Sequence, residues 1–367
     1  MRPMRLAFIG DPNSVHVRRW MAFFLDRGHE AFLLEGFGAE IRPGLDPRVE
    51  VERYQAHGRY GVPLLSLIQS RRNLRRALDR IRPDVLHAHF VRRYGWQAGL
   101  AGFHPLVLTG WGSDVLVGSL RTWRVRWRDR QALRAADLVT VVSDFMRTAI
   151  IANGARPDRV ELVHHGVDTA RFVPGPPDAA LPDAGRRIIL SPRAIRPLYR
   201  HETVIAAFAT LPDDTLIVMS ALDADRAYLD KLRHQVRDLG IEDRVRVLDR
   251  IDPDDLPRHY RTASVVVSVP ESDSFPVTLL EAMACGTPIV AGDLPPIRTV
   301  LAELAPEALV PIGDVKALSI AIVRMLELQP GARDALGSAL REHVVRTADY
   351  EANMSRMEEL YRRLADR

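Results

Sequence analysis

The sequence predicts an α/β protein of two doubly wound parallel sheets, and three observations carry that expectation. Short apolar stretches alternate with helix-length amphipathic segments, the alternation breaks once at a proline-rich segment, and it then restarts. At 367 residues, two cores are also the expected arrangement.

The first apolar stretch runs from Arg5 to Gly10 and ends at Asp11-Pro12-Asn13-Ser14, which supplies N-cap residues for a helix. Val17, Trp20, Met21, Phe24 and Leu25 follow at helical spacing, Gly28 stops that pattern, and Ala31–Leu34 begins a second stretch. Further strands are expected at Asp84–His87, Leu106–Thr109, Leu138–Val142 and Val160–Val163. Residues 1–170 therefore read as one domain, and 171–186, with Pro174-Gly175-Pro176-Pro177 at the centre, as a linker. The second domain, 187–345, is expected to place strands at Ile188–Ser191, Leu216–Met219, Val245–Leu248, Val265–Val269, Ile289–Ala291 and Leu309–Pro311. A closing helix, within 346–367, carries Met354, Met357, Leu360, Tyr361 and Leu364 at helical spacing. Ligands of such sheets gather beyond the carboxyl ends of the strands, so two facing domains are expected to bind them across a cleft.

Composition narrows the class of function. With 47% hydrophobic and 27% charged residues the chain is neither disordered nor membrane-spanning in character. The apolar stretch Leu6–Gly10 is too short for a signal-peptide core, so a cytoplasmic protein is expected. Cys285, the single cysteine, excludes an intramolecular disulfide framework and reads as a small buried hydrophobe. The net charge of +4 rests almost wholly on arginine, since Lys231 and Lys316 are the only lysines. Arginine suits nucleotides, anionic membranes and nucleic acid alike.

The stretch from Asp273 to Pro288 carries the most specific chemistry. It follows an expected strand, Pro276 stands at a favoured first helical position, and Gly286 and Pro288 end the helix. Unpaired amides and the dipole at such a helix start suit a diphosphate, with backbone and side chains of Ser274, Phe275, Pro276, Val277 and Thr278 around it. Glu281, two turns in, suits ribose hydroxyls. A capped amphipathic helix with a solvated glutamate is an equally good reading of the stretch taken alone.

This stretch resembles the C-terminal signature of glycosyltransferase family 4: an acidic residue, seven residues, then Glu281-Ala282-Met283-Ala284-Cys285-Gly286-Thr287-Pro288. The resemblance implies a GT-B fold of two Rossmann-like domains across a cleft, with the closing helix crossing back onto the first domain. It also implies a retaining transfer of sugar from a nucleotide-sugar donor, UDP- or GDP-linked, with no cofactor and no metal. The family's first acid touches the donor sugar and its second the ribose, which assigns those roles to Asp273 and Glu281. Asp273 stands where the family usually has Glu, and Glu271 is the alternative. The family's arginine and lysine for the donor phosphates fall on Arg193 and on either Arg196 or Arg200, since no lysine follows.

The first half carries matching segments: Gly10-Asp11-Pro12-Asn13-Ser14-Val15-His16, His87-Ala88-His89, Gly110-Trp111-Gly112-Ser113-Asp114 and His165-Gly166-Val167-Asp168. The resemblance implies close backbone approach of the donor at Gly10 and an acceptor side lined by His16, His89, Trp111 and Asp114. Trp111 stands where many relatives have His. His87 and His89 are set aside as a metal pair because, as alternate residues of a strand, they are expected on opposite faces. Asp223-Ala224-Asp225 resembles the metal-binding acid pair of the other glycosyltransferase fold, but two Rossmann-like domains argue against that use.

A sugar-nucleotide epimerase on the same fold is the alternative activity, and a nucleic-acid binder, resting on basic charge alone, a third class. The acceptor the resemblance implies is a glycan, a lipid-linked saccharide or a small molecule. One segment bears on the membrane: Leu120–Asp137 carries Arg121, Arg124, Arg126, Arg128, Arg130 and Arg134 with Trp123 and Trp127 a helical turn apart. Its plainest reading is a domain helix that buries both tryptophans and snorkels its arginines, with peripheral contact to an anionic membrane at the inner face as the alternative.

Overall fold

The computed structural model describes residues 2–56, 64–116, 122–179 and 185–366. The chain divides into two compact units, Met1–His164 with Ala352–Arg367, and His165–Glu351.

The first unit runs β1 (Arg5–Ile9), α1 (Val15–Asp26), β2 (Glu30–Glu35), β3 (Glu50–Arg53), α2 (Leu64–Ile81), β4 (Val85–His89), α3 (Trp96–Ala101) and β5 (Leu106–Thr109). It continues through α4 (Ser113–Leu116), α5 (Trp123–Ala135), β6 (Leu138–Val141), α6 (Asp144–Ala152) and β7 (Val160–Leu162). The described strands make one parallel sheet in the order β3-β2-β1-β4-β5-β6-β7. Because helices cover both faces, the central strands are buried on both sides: β4, β5 and β6 are buried at every position. One face packs against Leu74 and Leu78 of α2, Ala98 of α3, Ala132 and Leu133 of α5, and Met146 and Ile150 of α6. On the other, Phe8 meets Phe24 of α1 at 6.2 Å between ring centres, and Phe24 meets Tyr361 at 5.1 Å.

The second unit runs β8 (Arg187–Ala194), α7 (His201–Phe208), β9 (Thr215–Ser220), α8 (Arg226–Asp238), β10 (Val245–Leu248), α9 (Leu256–Thr262) and β11 (Val265–Ser268). It ends with α10 (Val277–Ala284), β12 (Ile289–Gly292), α11 (Pro295–Leu304), β13 (Leu309–Val310), α12 (Val315–Leu326) and α13 (Pro330–Thr347). Its described strands are parallel in the order β10-β9-β8-β11-β12-β13. The helix Pro330–Thr347 lies against α10 through two glycines: a Cβ on Gly337 would stand 2.5 Å from the Gly286 carbonyl. Gly286 itself has φ +70°, the left-handed cap that ends α10.

The last helix, α14 (Tyr350–Ala365), returns to the first unit from Ala352 onward. Its buried face is Met354, Met357, Glu358, Leu360 and Tyr361. Trp20 Nε1 donates to Tyr361 Oη at 3.2 Å, and His29, whose Nδ1 accepts from the Met4 amide, holds Glu358 at 3.2 Å. Arg27 and Arg362 bracket the same carboxylate at 3.4 and 2.7 Å.

Three expectations change. The segment read as a linker is partly built into the second unit: Phe172 is buried against Tyr260, and Arg341 donates to the carbonyls of Phe172 and Thr169. Proline content signalled the chain's path, while one phenylalanine and one arginine decide what it packs on. The residues 180–184 of that segment lie outside those described, as do Leu120 and Arg121. His87 and His89 are two apart on β4 and therefore share a face, with ring centres 4.2 Å apart. Third, Trp123 and Trp127 are not buried, being 67% and 52% exposed.

Candidate functional site

In the second unit the residues singled out from sequence meet at the carboxyl ends of β8 and β11. The bulge between Ser191 and Ala194 turns the end of β8, and Arg193 reaches from it to Asp273, Nη2 to Oδ2 at 2.7 Å. Both side chains are mostly buried, at 14% and 12% exposure, so this ion pair is shielded from solvent screening. The second Asp273 oxygen accepts from the Ser274 amide at 2.8 Å, and Arg193 Nη1 stands 3.4 Å from Thr278 Oγ1 in the first turn of α10. The guanidinium also lies over the Tyr199 ring, 4.2 Å from its centre.

The helix starts one residue later than the sequence reading placed it: Pro276 is the N-cap and Val277 the first helical residue. Pro276 fits there because its missing N–H costs no helical bond. Ser274, Phe275 and Pro276 are buried, whereas Val277 and Thr278 are half-buried. The first amides of α10 have no carbonyl partner within the helix, which makes this turn an anion seat with Arg193 beside it. Glu281 lies one turn further along, and the fully buried Tyr260 of α9 donates its hydroxyl to Glu281 Oε2 at 2.7 Å. That contact, with burial the larger cause, pushes the Tyr260 phenol well above its ordinary value, so it stays a donor.

The two other arginines go different ways. Arg200, held in the left-handed region at φ 51°, pairs with Glu271 at 2.8 Å on the loop that also carries Asp273. Arg196 is exposed and donates to the Asp223 carbonyl at 3.1 Å. Asp225 caps α8 by accepting from the Tyr228 amide at 3.0 Å, a structural use for the aspartate pair noted in the sequence. Among the described residues, no group of three or more His, Cys, Asp or Glu side chains is arranged to hold a metal ion. Cys285 is buried, and desolvation pushes its thiol up to about 12.

In the first unit the predicted acceptor-side residues come together as a stack of rings at the ends of β1, β4 and β5. His16 lies on Trp111 at 4.9 Å, Trp111 on His89 at 5.4 Å, and Trp20 stands edge-on to both His89 and Trp111. His16 and Trp111 are partly exposed. His89 is buried, and desolvation lowers its pKa to about 3. Gly10 is where close packing demands no side chain: a Cβ there would stand 3.1 Å from Val17 and 3.3 Å from His89.

Asp114 does not line an open surface. It is buried, Oδ1 accepting from the Trp111 and Gly112 amides at 3.1 and 3.0 Å and Oδ2 from the Val91 amide at 2.8 Å. Burial raises its pKa against the opposing pull of those amides. The carboxylate thus clamps the turn bearing Trp111 to the one after β4, where Phe90 holds φ 84° ahead of the π-helical turn Val91–Gly95. Such a backbone costs about 1–3 kcal/mol and persists where its surroundings fix it.

Below the stack runs a polar chain that sequence reasoning missed. His87 Nε2 contacts Thr109 Oγ1 at 2.7 Å, Thr109 contacts Thr140 Oγ1 at 2.6 Å, and His87 Nδ1 meets the Tyr361 hydroxyl. The returning helix therefore enters the support of the first unit's site. Apolar periodicity assigned Tyr361 to a buried face, and nothing in the spacing pointed to its hydroxyl.

The fold class is that of the GT-B glycosyltransferases, two Rossmann-like units on one chain. A sucrose-phosphate synthase from Thermosynechococcus elongatus is similar over 99% of both chains, with a TM-score of 0.79 and 23% identity. Anabaena Alr3699/HepE, solved in complex with UDP, is similar over 98% of this chain and 100% of its own, with a TM-score of 0.82 and 19% identity.

Residues 14–171 match Glycosyltransferase Family 4 and residues 177–343 match Glycosyl transferases group 1, so the chain belongs to this family of transferases. Among curated relatives, the D-inositol 3-phosphate glycosyltransferase of Mycolicibacterium gilvum is 32% identical over 58% of this chain and 52% of its own length. That of Mycobacterium marinum is 30% identical over 76% and 63%. The chain thus spans from about half to under two thirds of the length of these relatives.

Proposed function

We propose that this protein transfers a sugar, with retention of anomeric configuration, from a nucleotide-sugar to a hydroxyl of an acceptor. The observation that carries the reading is the Arg193–Asp273 pair set against the first turn of α10, with Glu281 held one turn on by Tyr260. The α10 amides and Arg193 receive the diphosphate, Glu281 the ribose, and Asp273 the sugar. Arg200 supplies the second cation, since its ion pair with Glu271 ties it to the Asp273 loop. The bond from the anomeric carbon to the diphosphate breaks, the acceptor oxygen bonds the same face of that carbon, and the acceptor proton goes to the leaving phosphate oxygen. Charge developing on the diphosphate is met by fixed donors, which is where electrostatic catalysis is strongest. No side-chain base and no divalent ion takes part in this scheme.

UDP-sugars are the first donors to try, because Anabaena Alr3699/HepE was solved in complex with UDP and with UDP-glucose. Acceptors to try are glycans, lipid-linked saccharides and, from the relatives' names, inositol 3-phosphate. His16 and Trp111 face the acceptor, while neutral His89 and the Asp114 clamp shape that surface from beneath. Peripheral contact with an anionic membrane belongs to the same reading, through α5.

The test follows slow hydrolysis of UDP-glucose by proton NMR in the presence of chelator. Retention predicts that α-glucose appears first. First release of the β anomer contradicts retention, and conversion of the donor without release of UDP favours the epimerase.

A further inference from the structure

We infer that α2 and α5 of the first unit together form a docking face for an anionic lipid bilayer. This deepens the membrane contact proposed above and does not depend on the donor chemistry.

Both helices cover the same face of the sheet, with Leu74 and Leu78 of α2 and Ala132 and Leu133 of α5 in one core and α3 between them. α3 is pinned to both neighbours. Arg75 of α2 donates to its last carbonyls, Ala101 O and Gly102 O, at 3.4 and 3.0 Å. A Cβ on Gly99 of α3 would stand 3.3 Å from Ala135 of α5. The outer sides of α2 and α5 thus belong to one surface.

That surface pairs large apolar groups with a single sign of charge. Trp123 and Trp127 are 67% and 52% exposed, and on α2 Leu65 and Ile68 are 78% and 40% exposed. Each of the two helices carries five arginines and one aspartate. The aspartates remove only part of that charge: Asp79 offsets Arg75 at 3.5 Å, and Asp129 is buried with Arg92 at 3.6 Å. Trp123, Arg126, Trp127, Arg130 and Arg134 are all exposed and recur at helical spacing, so rings and guanidinium groups share one stripe. An apolar body that seats at the headgroup boundary beside arginines that pair with lipid phosphates is the chemistry of an interfacial helix. Exposed apolar groups gathered on one face and set among cations mark an interaction surface. The bilayer is preferred over nucleic acid because the exposed groups include leucine and isoleucine, which neither stack on bases nor read a groove.

The full chain is sedimented with vesicles of phosphatidylcholine, alone and mixed with phosphatidylglycerol. The comparison includes Trp123→Ser with Trp127→Ser, Leu65→Ser with Ile68→Ser, and Arg124→Gln with Arg126→Gln and Arg130→Gln. All seven positions are exposed, and a thermal shift with UDP on each sample reports folding and the donor site separately. Binding is expected on the mixed vesicles only, about tenfold weaker in the tryptophan and arginine variants and weakened also in the α2 variant. Brominated lipid should quench the wild type and not the tryptophan variant, which keeps Trp20, Trp96 and Trp111. Absence of sedimentation overturns the inference, as does binding unaffected by the apolar substitutions. So does binding to a DNA duplex, or self-association through these residues, in place of vesicle binding. Vesicle binding without any UDP shift would leave the face standing and count against the transferase reading.

Discussion

In the second unit the residues beyond β8 and β11 are charged and paired across 2.7 Å, whereas in the first unit those beyond β4 and β5 are stacked rings and a carboxylate spent on backbone amides. The same layout of sheet and helix therefore serves two purposes. One end presents cations and helix amides, fit for a diphosphate whose charge rises as it leaves. The other presents aromatic surface, with His16 and Trp111 partly exposed, over a buried polar support.

If that contrast is right, substitutions should act through rate in the second unit and through stability in the first. The largest expected effect is Arg193→Ala, which removes the proposed phosphate donor and leaves Asp273 without its ion-pair partner. Single-turnover transfer should slow by about 10²–10³-fold, measured on protein still folded at the assay temperature, so that the loss of rate exceeds any loss of stability from the unpaired Asp273. Unchanged turnover would break the comparison on its charged side.

Asp114→Ala should show the opposite pattern. Loss of an acceptor shared by three amides is expected to cost about 3 kcal/mol in urea denaturation, with transfer lost in step with folding. A fully stable variant with no activity would instead make Asp114 part of the chemistry.

The buried histidines give a pH signature. Desolvation holds His89 near pKa 3 and lowers His87 well below its ordinary value, so the folded chain stays unprotonated where the unfolded chain takes up protons. Stability should therefore fall as pH drops below about 6.5, by up to about 1.4 kcal/mol per pH unit for each histidine, until the folded-state values are reached. His89→Gln should flatten that slope between pH 6.5 and 5, and an identical slope in the variant would contradict the assignment.

The smallest effect is assigned to Tyr361→Phe. It removes the hydroxyl shared with Trp20 and His87, at a cost of about 1–2 kcal/mol, and should loosen the returning helix in hydrogen exchange before global unfolding.

The same contrast explains what the sequence made legible. Arg193, Asp273 and Glu281 stand out because each is a charged residue just beyond an expected strand or within the signature helix and falls on the family's motif, although Arg193 and Asp273 lie 80 residues apart in the chain. Tyr260 escaped because it reaches Glu281 from a different helix, and Tyr361 because it comes from a distant part of the chain. Most strands announced themselves as apolar runs, but β3, with the sequence Glu-Val-Glu-Arg at the sheet edge, has half its surroundings in water and no such run. The helix α5 was visible from Trp and Arg spacing. Which side its tryptophans face depends on Val125, Ala132 and Leu133 taking the core, and that competition is settled only by packing.

Nucleotide-sugar binding by the second unit through α10 is the proposal on which the transfer scheme depends. Its most direct test is calorimetric titration of UDP-, GDP- and ADP-sugars, in chelator, into wild type and Glu281→Ala. Binding of one nucleotide series, undiminished by chelator and weakened about tenfold or more in the variant, is the predicted result. A folded wild-type protein that binds none of the three series, or a Glu281→Ala variant that binds as the wild type does, would contradict it.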